Sequence, residues 1–292
     1  MKGYVNDLQL MTINVGYACH QGDWNWTNVR SPFARLYYVT DGEAWIVKHA
    51  VRSGDESVRI HLTPHHLYLI PPFCTHDEIC TGVFYHYYIH VYENPDSTAL
   101  YFDNYDFPIE VKAEPMDLEL FKKLTYANPF MKLPGSDPTS YDNASTLFNS
   151  VSMNLQRPLA DIVMSRGILF ILFSKFLRFA TAHKSLEDDR ISAAISYIRH
   201  HLCDDLSIES LSNIACMSKD HFIRCFKKEM KQTPVSYISR LRMEHAELLL
   251  ITTNLSVKKI AESVGYLDSG YFIRVFRKFM GVSPVKYRNR SK

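Results

Sequence analysis

An internal repeat near the C-terminus constrains this chain more than any other feature. Leu206-Ser207-Ile208 recurs as Leu255-Ser256-Val257 at an offset of 49 residues. Phe222-Ile223-Arg224-x-Phe226 recurs as Phe272-Ile273-Arg274-x-Phe276 at an offset of 50, followed by Met230/Met280, Pro234-Val235/Pro284-Val285 and Tyr237/Tyr287. One inserted residue in the turn of the second copy accounts for the change of offset. A pattern repeated at this spacing marks one small structural unit built twice.

Each copy reads as a short helix, a tight turn and a longer helix. Ser207 and Ser256 are suited to N-cap a first helix with apolar positions one turn apart, Ile208/Leu211/Ala215 and Val257/Ile260/Val264. The break falls at Cys216-Met217 in one copy and at Gly265-Tyr266-Leu267 in the other. A second helix then buries Phe222/Phe226/Met230 or Phe272/Phe276/Met280. This is the helix-turn-helix plan, whose second helix enters the major groove of DNA.

With the phenylalanines inward, helical spacing turns Lys219, Asp220, Ile223, Arg224, Lys227 and Lys228 outward in the first copy. The second copy presents Ser269, Gly270, Tyr271, Ile273, Arg274, Arg277 and Lys278. Residues 219, 220, 223, 224, 269, 270, 271, 273 and 274 are the expected base-contacting set. Arg224 and Arg274 suit guanine O6/N7, Asp220 suits cytosine N4, and Ile223 and Ile273 suit thymine methyls. Lys227, Lys228, Arg277 and Lys278 are placed for phosphates. Pro234–Ile251 between the copies reads as one stiff helix that spaces the two readers about one DNA turn apart.

The formal charge of +2 hides an asymmetry that agrees with this reading. Residues 1–187 carry 15 Lys+Arg against 20 Asp+Glu, a balance of −5, and residues 188–292 carry 18 against 11, a balance of +7. One segment is built for a polyanion and the other is not.

Up to about Pro115 the signals are those of strands. Ala34–Thr40, Ala44–His49, Ser57–Leu62, His66–Ile70 and Val83–Tyr92 are short, β-branched and aromatic, and the intervening turns include Asp41-Gly42, Ser53-Gly54-Asp55 and Thr81-Gly82. Such spacing predicts a sandwich or barrel. Beyond Met116 the period becomes helical: Met116–Ala127 is a helix, Leu133–Asp142 a loop, and Ala144–Ala182 helix interrupted near Pro158. The stretch Pro158–Ala182 is apolar nearly all round, which requires burial against its own sheet or against a second copy.

The last hundred residues closely resemble the AraC/XylS family of transcription regulators. The signature runs from Lys259-Ile260-Ala261-Glu262-Ser263-Val264-Gly265-Tyr266 through Tyr271-Phe272-Ile273-Arg274-Val275-Phe276-Arg277-Lys278 to Gly281-Val282-Ser283-Pro284-Val285-Lys286-Tyr287-Arg288. The resemblance implies a two-unit DNA-binding domain, usually of an activator, preceded by a sensing or dimerising domain. Cys216 departs from it where a turn Gly is common. Gly270 leaves one recognition position without a side chain, so the second unit contributes there through backbone.

Many members of that family carry a cupin-like β-barrel in front, and Thr63–His76 resembles a cupin segment. Metal-binding cupins add a His-x-His and a Glu on an earlier strand; the corresponding stretch Leu36–Glu43 holds no histidine, so no metal and no cofactor are expected. Val83–Tyr92 splits into two faces, and the set Phe84/His86/Tyr88/His90/Tyr92 mixes flat rings with hydrogen-bonding groups as pocket walls do. The resemblance to sugar-binding relatives places His86 and Tyr88 in a ligand pocket, with Arg30 closing over it and Tyr37, Trp45 and Tyr68 as further lining. A barrel filled by its own side chains is the alternative.

The expected fold is α+β in two domains: an N-terminal cupin-like β-barrel with a helical dimerisation or linker segment, then an all-α domain with two helix-turn-helix units. The expected divisions are 1–115 for the barrel, 116–184 for the helical segment, 185–190 for a linker, and 191–292 for the DNA-binding domain, with its units at 206–230 and 255–280. The expected partners are double-stranded DNA, RNA polymerase, a small-molecule effector and a second copy of the chain. Met1–His20 lacks the basic and apolar regions of a secretory signal, and six cysteines show no CxxC pair, which predicts a cytoplasmic protein with reduced thiols. Hydrolase and nucleotide-binding motifs (GxSxG, HExxH, P-loop) are missing, so a regulator rather than an enzyme is expected. Its competitors are a cupin-type enzyme with a DNA-targeting domain and a regulator whose barrel only dimerises.

Overall fold

The computed structural model describes residues 8–50, 56–93, 101–142, 144–182, 188–230 and 232–289. Two compact units divide the chain, residues 1–182 and 183–292. Residues 185–187 of the expected 185–190 linker, and the Ser53-Gly54-Asp55 turn, lie outside the described residues.

The first unit runs β1 (Leu10–Gln21), β2 (Trp26–Val29), β3 (Ala34–Gly42), β4 (Ala44–Lys48), β5 (Val58–Leu62), β6 (His66–Ile70), β7 (His76–Ile79) and β8 (Val83–Glu93). There follow α1 (Tyr101–Asn104), β9 (Tyr105–Asp106), β10 (Glu110–Lys112), α2 (Pro115–Ala127), α3 (Pro138–Tyr141), α4 (Ala144–Leu155), α5 (Leu159–Leu177) and β11 (Thr181–Ala182). A five-stranded sheet in the order β1-β8-β3-β6-β10 faces a four-stranded sheet in the order β2-β7-β4-β5. Every pairing between these strands is antiparallel. Among the described residues the hydrogen-bonded ladders end at β1 and β10 and at β2 and β5, so of the expected sandwich or barrel the pairing gives two facing antiparallel sheets that are not joined into a closed ring.

Both faces of the large sheet are covered, which is why both side-chain sets of β8 are buried from Tyr88 to Glu93. Tyr37, Val39, Tyr68, Phe84 and Tyr88 point between the sheets and pack with Ile46, Ile60 and Leu62 of the small one. Leu36, Tyr38, Leu67, Leu69, Ile89 and Val91 point the other way, into a core shared with Phe121 and Leu124 of α2 and Ile168, Leu169, Leu172, Phe173 and Phe176 of α5. Lys175 of α5 adds ion pairs to Glu114 (2.9 Å) and Asp117 (3.1 Å) at the start of α2. α5 therefore buries one face on its own sheet, while Leu159, Val163 and Ile171 on the other are 76%, 61% and 51% exposed. The Leu133–Asp142 segment, expected as loop, contains the single turn α3, started by Asp137, whose carboxylate accepts the Thr139 amide.

The second unit runs α6 (Asp189–His200), α7 (Ile208–Ile214), α8 (Lys219–Met230), α9 (Pro234–Thr252), α10 (Val257–Ser263), α11 (Ser269–Met280) and α12 (Pro284–Arg288). Ser207 and Ser256 cap α7 and α10 through the amides of Ser210 and Lys259. The unit has two apolar cores. One gathers Ile191, Ile195, Ile198, Leu211, Phe222 and Phe226 around Tyr237, Ile238 and Leu241 of α9. The other gathers Ile260, Val264, Tyr266, Phe272 and Phe276 around Met243, Ala246, Leu249 and Leu250 of the same helix. α9 thus serves one core with its first half and the other with its second.

Candidate nucleic-acid interface and an N-terminal cavity

α8 and α11 are each twelve residues long and bury equivalent rings. Phe222, Phe226, Phe272 and Phe276 are fully buried, and the helical period then fixes what faces solvent. Lys219, Asp220, Arg224, Lys227 and Lys228 are exposed on α8. Gly270, Tyr271, Ile273, Arg274, Arg277 and Lys278 are exposed on α11, with Ser269 half-buried. Ile223 differs from its counterpart Ile273: it is half-buried and packs on the first core.

Local contacts already engage several of these side chains. Lys219 Nζ lies 3.1 Å from Glu209 Oε2 on α7. The Arg274 guanidinium sits 5.8 Å from the Tyr271 ring centre, one turn back along α11. Asp268 caps α11, its Oδ1 accepting the amides of Gly270 (2.7 Å) and Tyr271 (3.2 Å). A Cβ at residue 270 would come within 3.1 Å of that oxygen, so the glycine leaves room for the cap.

The turns preceding the two helices are also equivalent. Gly265 has φ +81° and Cys216 has φ +50°. Both hold the left-handed conformation that reverses the chain, Gly265 without steric cost and Cys216 with some.

The first unit contains a cavity of about 440 Å³ at the β1, β3 and β8 end of the sandwich. His86 and Tyr88 of β8 and Tyr37 of β3 line it, joined by His20, Trp24 and His90. His86 stacks on Phe84 with ring centres 4.5 Å apart and meets the edge of Tyr37 at 4.9 Å. Burial holds the His86 and His90 rings well below the usual histidine range, with further lowering from nearby positive groups, so both are neutral. The Nδ1 atoms of both are buried without a hydrogen-bond partner. Burial pushes the Tyr88 hydroxyl up to about 12, and it accepts the Leu133 amide at 2.9 Å. Asp23, Lys132–Ser136 and Tyr141 add to the lining, with Tyr17–Cys19 of β1.

Arg30, Trp45 and Tyr68 lie outside this cavity. Ala44 and Ile46 take the inward positions of β4, which turns Trp45 outward to stack on His61 (4.0 Å) and under the Arg59 guanidinium (4.1 Å). Tyr68 packs between the sheets, its hydroxyl bonded to the Thr63 amide, the His61 carbonyl and Glu110. The Arg30 guanidinium lies over Phe73 at 4.9 Å.

Sequence reasoning missed the charged cluster beside the cavity. Arg35 is 1% exposed; its Nη2 contacts Asp142 Oδ2 at 2.8 Å, its Nη1 donates to Ser31 Oγ at 2.6 Å, and its Nε lies 3.8 Å from Glu78 Oε1. Ser31 also donates to Asp142. Burial opposes the Arg35 charge, but Asp142 and Glu78 outweigh it and hold the group protonated. An arginine inside the apolar run Ala34–Thr40 was the available signal, because a charge on a buried strand needs a partner. Among the described residues no three His, Cys, Asp or Glu side chains converge as metal ligands, and no helix is long and apolar enough to cross a membrane. None of the six cysteines forms a disulfide.

The second unit thus presents two basic helices on tight turns, the build of a helix-turn-helix domain. Residues 211–290 match the family model described as a helix-turn-helix domain. The lactose operon transcription activator of Staphylococcus xylosus is 25% identical over 138 residues, 46% of this chain and 50% of that protein. The xylose operon regulatory protein of Escherichia coli is 32% identical over 89 residues, 30% of this chain and 23% of that protein. The chain therefore spans half or less of these curated relatives. Among solved structures, the C-terminal domain of the response regulator yesN from Fusobacterium nucleatum is 32% identical with a TM-score of 0.34, covering 35% of this chain and 99% of that one.

Proposed function

We propose that this chain is a sequence-specific DNA-binding transcription regulator in which the pairs α7–α8 and α10–α11 act as two helix-turn-helix units reading adjacent major-groove segments. One observation carries the reading: the same exposed basic face occurs at equivalent positions of two similarly built helix pairs. Arg224 and Arg274, with Lys219, Asp220, Tyr271 and Ile273, meet base edges. Lys227, Lys228, Arg277 and Lys278 meet phosphates, and Ser269 and Gly270 approach the duplex through backbone.

The sandwich acts as a cupin-like sensing module. Its cavity has the volume of a small-molecule site, and neutral imidazoles with unsatisfied nitrogens, set among flat rings, suit an uncharged, hydroxylated ligand. The relatives named for lactose and xylose operons support a sugar-type effector. The exposed Leu159, Val163 and Ile171 of α5 support pairing with a second copy, and RNA polymerase is the partner through which bound protein would act.

Selection of DNA from a random pool by the full chain, with and without a panel of mono- and disaccharides, tests both parts. Enrichment of a bipartite site, with an enrichment altered by one sugar, is expected. Recovery of no preferred sequence under any condition would overturn the proposal. Fluorescence of Trp24, which lines the cavity, gives the effector test independently of DNA.

A further inference from the structure

The two cores of the DNA-binding unit meet at one residue. Leu241 belongs to the first core and Met243 to the second, and Arg242 stands between them on α9. Its guanidinium reaches both halves. Nε donates to the Leu202 carbonyl (3.0 Å) and Nη2 to the Asp204 carbonyl (2.7 Å), both in the loop that joins α6 to α7. Nη1 donates to the Gly265 carbonyl (2.9 Å), in the turn that launches α11. Tyr266, the next residue of that turn, lies under the guanidinium at 5.3 Å.

Two further contacts close the same seam. The Cys203 thiol donates to the Ser263 carbonyl at the end of α10. A Cβ on Gly265 would fall 2.6 Å from Arg242 Nη2 and 3.0 Å from the Cys203 carbonyl, so the glycine permits the close approach as well as the positive φ. A planar fork that points three N–H groups at three carbonyls is a geometry that arginine has and lysine lacks.

We infer that Arg242 is the positioning residue that locks the two helix-turn-helix units into one reading frame, fixing the offset between α8 and α11 and hence the spacing of base pairs the chain accepts. This rests on the DNA-binding reading above and adds to it what sets the spacing. Without the clamp, only α9 and the Cys203–Ser263 contact still join the two cores, and each can pivot about the helix at its own boundary.

The test compares wild type, Arg242→Lys and Arg242→Ala on the selected bipartite site, on the same site with one base pair inserted or removed between segments, and on each segment alone. Wild type should discriminate roughly tenfold or more against the altered spacings, as for a mismatched site. In Arg242→Ala that discrimination should shrink to about threefold or less, with single-segment affinities unchanged within about twofold and Arg242→Lys close to Ala. In the DNA-free full chain, the distance distribution between spin labels at Lys227 and Arg277, introduced through an unnatural amino acid, should broaden in both variants; this readout holds even if DNA affinity drops. Retention of wild-type spacing selectivity and an unchanged label distribution would overturn the clamp. A uniform loss on every DNA with an unbroadened distribution would also overturn it. If wild type itself prefers no sequence, the DNA-binding proposal fails first and the clamp's role falls with it.

Discussion

Arg35 and Asp142 lie 107 residues apart in sequence and 2.8 Å apart in space, and both are withdrawn from water. The pair ties β3 to the residue that follows α3, whose Tyr141 forms part of the cavity wall. Replacing Asp142 with Ala strands a buried guanidinium and should cost about 3–5 kcal/mol. Urea unfolding followed by tryptophan fluorescence checks this cleanly, because all three tryptophans (Trp24, Trp26, Trp45) belong to the first unit. A loss below about 1 kcal/mol, typical of an exposed pair, would show that the ion pair does not hold this wall.

The same probe should trace a stability maximum near neutral pH. Burial lowers the folded-state pKa of His20, His86 and His90 below 6.5. The unfolded chain then binds more protons in acid, so stability falls as pH drops below that value. His76 is opposite: burial disfavours its charge, but hydrogen bonds to the Cys74 carbonyl and Glu78 carboxylate raise it to about 9. Its contribution is complete below pH 6.5 and is lost as pH climbs through 9, roughly 3 kcal/mol in all. His76→Gln should remove the alkaline limb and leave the acid limb intact.

For DNA, the log K against log salt slope should lie near −5 per chain if about six phosphates are neutralised. Lys227→Ala with Arg277→Ala should flatten it by about 2 and weaken all sequences alike. Arg224→Ala should cost roughly 1–3 kcal/mol at one base position and relax the preference there. Equal loss on every sequence would move Arg224 to the phosphate set.

Gly270→Ala should destabilise the second unit by about 1 kcal/mol, the worth of a helix N-cap, because the new methyl presses on the Asp268 carboxylate. Circular dichroism of thermal unfolding reads the change. A gain in stability, as ordinary helix propensity would give, would show that the cap yields without cost.

The exposed face of α5 predicts concentration-dependent association. Ile171→Asp, on the solvent side away from the core, should lower the mass measured by sedimentation while leaving the unfolding midpoint of the first unit in place. An unchanged mass, dimeric or monomeric, would remove α5 as the contact.

How much of this was legible depended on whether the pattern lay in one segment or across several. The helices of the second unit follow from caps and apolar spacing that are local to each: Ser207, Ser256 and the Phe222/Phe226 and Phe272/Phe276 pairs stand where the repeat implies. β7 escaped notice because its inward positions, His76 and Glu78, are charged residues only 0% and 1% exposed; such a strand reads as loop until Arg35, 43 residues before Glu78, is seen beside it. Trp45 lies outside the cavity for a related reason: which face of a strand meets a cavity is set by the opposing sheet, and alternation alone leaves two choices. Tyr68 does point between the sheets but lies away from the cavity, a position along the strand that alternation does not fix. Arg242 gives no local signal at all, since its three acceptors are backbone carbonyls 23 to 40 residues away.

β8 shows its two sides to different neighbours. His86 and Tyr88 look into the cavity, while Ile89 and Val91 lie against the core that α2 and α5 share. A molecule seated on those rings would rest on a septum one strand thick, with the helix bearing Leu159, Val163 and Ile171 on its far side. A displacement of that septum reaches the outer surface of the unit without a hinge, through contacts already closed on both faces.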